Sequence, residues 1–194
     1  MAMTTRRILC GWVNFDERIA SHDALAAMLA AEDLSLRDVQ VQASEIGMIA
    51  STQPACSAAT DLGAGCMARL CFAQVGSTLV FSTSARAVAK HPLVSAPINR
   101  QALYEYLYCH MVPSPDTAFA GVDKLLPAES ATFNGGTPTR RFYWQLAYDA
   151  SGAGDEPALR QRFLELAEQA VARQADTTRP TGAFLSGGTD SSTV

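Results

Sequence analysis

The chain has 194 residues, 48% of them hydrophobic and 18% charged, with a net charge of −4. That length can bury a sizeable core and suits one to two small domains. Its basic residues do not interleave with aromatics, which argues against a nucleic-acid partner, and no apolar run approaches the roughly 20 residues that span a bilayer. The apolar stretch after Arg6-Arg7 is short and is interrupted by Asp16 and Glu17, so no secretory leader is read and the cytoplasm is the expected location. Five cysteines (Cys10, Cys56, Cys66, Cys71, Cys109) form no C-x-x-C pair. In a cytoplasmic chain they read as reduced thiols, and with none of the three histidines near Cys66 and Cys71 no metal site is expected.

The first element expected is a strand over Ile8–Phe15, ended by Asp16-Glu17. Ser21 suits an N-cap for a helix over about His22–Ala31, with Leu25, Met28 and Leu29 on one face. Residues 32–44 are polar and weakly patterned, Glu45–Ser51 reads as a short strand, and Thr52–Gly65 as a loop. Arg69–Val75 and Thr78–Ser84 read as two strands joined by a hairpin at Gly76-Ser77. Asn99 can cap a helix to about Cys109, along which Leu103, Tyr106, Leu107 and Met111 recur at helical spacing, and Tyr104, Tyr106 and Tyr108 read as core and surface packing. Pro113 and Pro115 mark a connection. Glu129–Phe133 reads as a strand turning at Asn134-Gly135-Gly136, Arg141–Trp144 is a compact aromatic segment, and Asp149–Gly154 is a linker. Glu156–Gln174 carries the clearest helical pattern, with Leu159, Phe163, Leu166, Ala167, Ala170 and Val171 on a single face.

The last stretch carries the chemistry. A short apolar run, Ala183–Leu185, meets Ser186-Gly-Gly-Thr-Asp-Ser-Ser192, a pattern that reads as strand, loop and new helix. Gly187 and Gly188 let the backbone turn tightly and approach a ligand. Successive N–H groups there, with those opening the helix, make an anion-binding concavity. The ligand expected is a phosphate chain. No Gly-Lys-Ser/Thr follows the glycines, so this is not a Walker-type loop.

This Phe-Leu-Ser-Gly-Gly-x-Asp-Ser-Ser loop resembles the pyrophosphate loop of the ATP pyrophosphatases, and most of all that of the glutamine-hydrolysing asparagine synthetase family. Further likeness lies in Phe81–Pro92, in Leu103-x-x-Tyr-Leu107 followed by Val112-Pro113, Thr117, Gly121-Val122-x-Lys-Leu125 and Pro127, and in Tyr143-Trp144. The resemblance implies an α+β domain followed by an α/β one. Over 1–148 it implies a shortened N-terminal-nucleophile, class II glutamine amidotransferase-like antiparallel sandwich with its connector. Over 149–194 it implies the first helix, strand and loop of an adenine-nucleotide alpha-hydrolase-like parallel sheet, truncated. The implied function is an ATP-dependent amide ligase: ATP with Mg²⁺ adenylates a carboxylate such as aspartate, and ammonia or an amine then displaces AMP. The implied ATP-binding residues are Leu185, Ser186, Gly187, Gly188, Asp190, Ser191 and Ser192, and a homodimer is an implied assembly.

Cys10-Gly11-Trp12 resembles the family's Cys-Gly start, which makes Cys10 the candidate glutaminase nucleophile; as a residue it also reads as a buried strand cysteine. Nine residues precede Cys10, and the family's Arg-Gly-Pro-Asp and Asn-Gly-Glu segments are absent between residues 16 and 66. Glutamine hydrolysis is therefore not expected, and the 194 residues alone are expected to be inactive. Two alternatives stand beside the ligase: a relative such as a β-lactam synthetase or lasso-peptide cyclase that uses an amine on its substrate, and a non-catalytic binding module.

Overall fold

The computed structural model describes residues 8–14, 22–44, 47–52, 70–148, 155–174, 182 and 185–193. The chain divides into two compact units, Met1–Gln145 and Leu146–Val194, each taken here by itself.

The first unit is built on a strand that is apolar on both sides. β1 (Leu9–Asn14) buries Cys10 and Trp12 on one face, and Leu9 and, in part, Val13 on the other. It pairs antiparallel with β3 (Gly47–Ser51) on one edge and with β5 (Thr78–Ser82) on the other. β2 (Gln40–Ser44) adds to β3, β4 (Cys71–Val75) to β5, and the two-residue β6 (Asp123–Lys124) to β4. The result is one six-stranded antiparallel sheet, ordered β2-β3-β1-β5-β4-β6.

Helices cover one face. α1 (His22–Ala30) buries Ala24, Leu25, Met28 and Leu29, the i, i+1, i+4, i+5 stripe of an amphipathic helix, against Cys10, Trp12, Met48 and Val80. α2 (Ala85–Ala89) begins at Ser84, whose hydroxyl accepts the Ala87 N–H at 3.4 Å and donates to Glu32 Oε1 at 2.6 Å, tying the end of α1 to the start of α2. The opposite face presents Leu9, Phe72 and Phe81, and a hairpin of β7 (Glu129–Thr132) and β8 (Thr139–Phe142) leans over it. An apolar cavity of about 150 Å³ remains between them, with Ala131 and Pro138 on the hairpin side. Among the described residues the second layer of the expected sandwich is this hairpin.

Several expectations change here. Residues 40–44 form an edge strand where no strand was expected, and residues 139–142 pair as β8 where an aromatic segment was read. β2 is exposed along its whole length, and β6 is two residues long, so neither carries a hydrophobic stripe. α3 (Arg100–Cys109) starts at the expected cap, Asn99, whose side chain accepts the N–H groups of Gln101 and Ala102. It buries only Ala102, so Tyr104, Tyr106 and Tyr108 join no core. The connector is pinned instead by Thr117, buried, whose hydroxyl donates to the Val122 carbonyl at 2.8 Å and accepts the Phe119 N–H.

Two contacts make the architecture testable. A Cβ on Gly11 would strike the Met48 carbonyl oxygen, and one on Gly47 the Trp12 carbonyl oxygen, so β1 and β3 approach as closely as they do only because both positions are glycine. Gly11→Ala should cost about 3 kcal/mol, read as a lower urea midpoint at unchanged slope. On the hairpin, Arg140 grips Glu129 with two bonds, Nε to Oε1 at 2.7 Å and Nη2 to Oε2 at 2.8 Å, and lies over the Phe72 ring. The Glu129 side chain is 6% exposed. Its bonds from Arg140 hold its carboxyl below the ordinary 4.5 despite burial. A lowered folded pKa gives stability that is present above pH 4.5 and lost as pH falls through the folded value. Glu129→Gln should therefore cost about 1–3 kcal/mol at pH 7, with the gap to the wild type closing in acid. Burial raises the Asp123 carboxyl and so acts in the opposite sense, but Asp123 is present in both proteins.

Candidate functional site

In the second unit, α4 (Glu156–Gln174) forms as its periodicity requires. Ala183 and Phe184 of the expected strand lie outside the described residues, and Leu185 is coil, 81% exposed. The loop that follows runs into α5 (Thr189–Thr193).

Its serines close on one another. The Ser186 N–H donates to Ser191 Oγ at 3.1 Å, the two hydroxyls are 2.6 Å apart, and the Gly188 N–H donates to Ser186 Oγ at 3.2 Å. One proton arrangement satisfies the set: Ser186 Oγ donates to Ser191 Oγ, and Ser191 Oγ donates to the Gly188 carbonyl at 3.2 Å. Ser192 Oγ donates to the same carbonyl at 2.9 Å, and the Ser192 N–H does so at 3.2 Å to start the helix. The loop is thus a hydroxyl-clasped turn around Gly187-Gly188. A Cβ on Gly188 would come within 3.3 Å of Ser186 Oγ and crowd that clasp. The first-turn N–H groups of α5 have no intrahelical acceptors and carry the positive end of the helix. Asp190 is the one carboxylate among residues 185–193. Among the described residues no group of three or more His, Cys, Asp or Glu could hold a metal, and no helix is long and apolar enough to cross a membrane.

In the first unit, Cys10 lies mid-sheet, opposite Ala50 and Ser82, and its side chain is on the helix-covered face. Burial, and secondarily the Glu32 carboxylate, pushes its thiol up to about 12. Glu32 itself is engaged by Ser84 and, at 3.4 Å, by Arg86. The neighbouring His91 is buried against Trp12 with ring centroids 5.1 Å apart, and burial lowers its pKa to about 4, so it is neutral near pH 7. Nothing in the sequence pattern singled out Glu32 or His91. The only sequence signal for either is the apolar company of Trp12 and Val88, which contact on the sheet turns into burial. At pH 7 about one Cys10 in 10⁵ would be thiolate, and the thiolate is the reactive form. Alkylation of the native protein at neutral pH should label the exposed Cys109 and leave Cys10 and Cys71 unlabelled until the protein is unfolded, as read by peptide mass mapping.

Comparison with known proteins matches both units. Residues 66–144 match the glutamine amidotransferase domain family, a span that begins after Cys10, and residues 162–194 match the asparagine synthase family, a span that contains the serine-glycine loop. "Asparagine synthetase (glutamine-hydrolyzing) 3" of Bacillus subtilis is 29% identical over 125 residues, covering 63% of this chain and 20% of its own length. "Putative asparagine synthetase (glutamine-hydrolyzing) 2" of Methanocaldococcus jannaschii is 30% identical over 123 residues, covering 61% of this chain and 24% of its own length. The chain thus spans between a fifth and a quarter of the length of these relatives. An amidotransferase segment followed by an asparagine synthase segment, in that order, is what this chain shares with the glutamine-hydrolysing asparagine synthetases it is similar to.

Proposed function

We propose that the chain contributes the nucleotide-phosphate loop of an ATP-dependent amide ligase, in which a carboxylate such as aspartate is adenylated and ammonia or an amine then displaces AMP. The observation that carries this reading is the clasped turn at Ser186–Ser192, which leads into α5 inside the asparagine synthase match. A pyrophosphate group needs several donors converging on one point, and a turn through two glycines into a helix start supplies them from the backbone. Ser191, by holding Ser186, keeps that turn in shape. Leu185 would back the nucleotide. Mg²⁺ would arrive on the phosphates, since it retains water and seldom requires a protein cage, and Asp190 is the carboxylate the loop offers to it or to the adenylation geometry.

The amidotransferase segment supports a narrower statement about nitrogen. A thiol held near 12 beneath two helices is a poor nucleophile, which favours ammonia or a substrate amine over glutamine as the donor.

Two measurements test the proposal. Aspartate-dependent exchange of labelled pyrophosphate into ATP, in the intact protein that carries this chain, should fall about 10²–10³-fold in Ser186→Ala and in Asp190→Ala, with unchanged folding of the first unit. Exchange that survives Asp190→Ala would make the loop structural and remove the main support for the ligase. Ammonia release from glutamine should be undetectable; release that disappears in Cys10→Ala would restore Cys10 as the nucleophile.

A further inference from the structure

His91 is a buried titratable group that the ligase reading does not use. It follows α2 and its cap Lys90 and is 2% exposed, with its ring centroid 5.1 Å from that of Trp12 and the two rings tilted by 57°. Its backbone closes two turns: the His91 N–H donates to the Val88 carbonyl at 3.1 Å, and the His91 carbonyl accepts the Val94 N–H at 2.9 Å. Its ring adds a third contact, with Nδ1 accepting the Leu93 N–H at 3.3 Å. An Nδ1 that accepts carries no proton, so the neutral ring holds its proton on Nε2. That atom is buried and meets no acceptor among the described residues.

We propose that His91 is an acid-released latch: its neutral ring holds the 91–94 turn and the end of α2 against Trp12, and a second ring proton drives it out. The geometry leaves that proton one place, Nδ1, where it would face the Leu93 N–H donor to donor and break the bond. The imidazolium would also lie in the core beside Trp12, out of water. Titratable groups on the surrounding elements do not relieve it. β1 and β4 offer the thiols Cys10 and Cys71, β5 and residues 117–122 offer none, and α2 with its cap offers the cations Arg86 and Lys90. On the α1 side, His22 and Asp23 lie in the exposed first turn, and Glu32 past its end is held by Ser84 and Arg86. Burial is accordingly the cause that acts on the ring. Once the ring leaves, Val94, packed partly against the main core, goes with the turn.

A folded pKa lowered to about 4 from 6.5 gives stability that is present above pH 6.5 and is lost as pH falls towards 4. The comparison that does not titrate is His91→Asn, whose side-chain oxygen can still accept the Leu93 N–H. In urea melts of the purified chain, the wild type's advantage over this variant, as a ratio of unfolding equilibrium constants, should be nearly constant above pH 7 and about 30-fold smaller at pH 5. Carboxylates such as Glu129 titrate in both proteins and cancel. Should His91→Asn fail to fold, nitrogen-15 NMR of the wild type's histidine rings decides the matter. At pH 7 His91 should show the neutral tautomer protonated on Nε2, and in the folded protein it should still be neutral at pH 5. An advantage that does not change with pH overturns the latch. So does a neutral ring protonated on Nδ1, and so does a ring that becomes charged above pH 5 while the protein stays folded.

Discussion

The first unit depends on β1 being enclosed from four sides. Both of its edges are paired; α1 and α2 pack one face, and on the other Leu9 clusters with Phe72 and Phe81 beneath the cavity that the β7-β8 hairpin overhangs. Its alternate residues therefore serve two different cores, and neither set can change without disturbing a layer. The close approach of β3 at Gly11 and Gly47 follows from that crowding. The chemical state of Cys10 follows too: any side chain at that position is taken out of water, and for a thiol desolvation favours the protonated form.

The two family matches attach to parts of the chain whose physics differs. The amidotransferase segment is organised by long-range pairing and by ion pairs at its margin, such as Arg140 with Glu129 and Asp123. The serine-glycine loop is organised locally: every hydrogen bond of its clasp joins residues no more than six apart. A locally specified turn can be recognised from a heptapeptide, whereas the surroundings of Cys10 depend on residues more than 20 positions away, such as Glu32, Met48 and His91.

The same division explains what could be read in advance. β1, α1, the β4-β5 hairpin, the Asn99 cap and α4 each announce themselves through periodicity, a turn dipeptide or a capping side chain, and each forms. β2 and β6 escape because an edge strand exposed on both faces needs no apolar alternation, and a two-residue strand has no period. The tyrosines of α3 mislead for the opposite reason. With Leu103, Leu107 and Met111 they make an apolar helical pattern, but Ala102 is the one residue the helix buries, and a sequence pattern records that a face is apolar without recording what lies against it. The loop at residues 186–192 was legible in its turn; its inward-facing hydroxyls were not, since serine spacing alone does not say which way an Oγ points.

The two ends of the main sheet have a consequence for how the molecule meets others of its kind. A long, flat, apolar border strand offers unpaired backbone groups to any passing strand and lets a sheet grow from molecule to molecule. Here one border is β2, five exposed residues with Val41 its only large apolar side chain, and the other is β6, a charged Asp-Lys pair. Neither gives a template long enough or dry enough for an added strand to gain from. Among the described residues the ladder has six strands, and neither of its margins favours growth by backbone pairing.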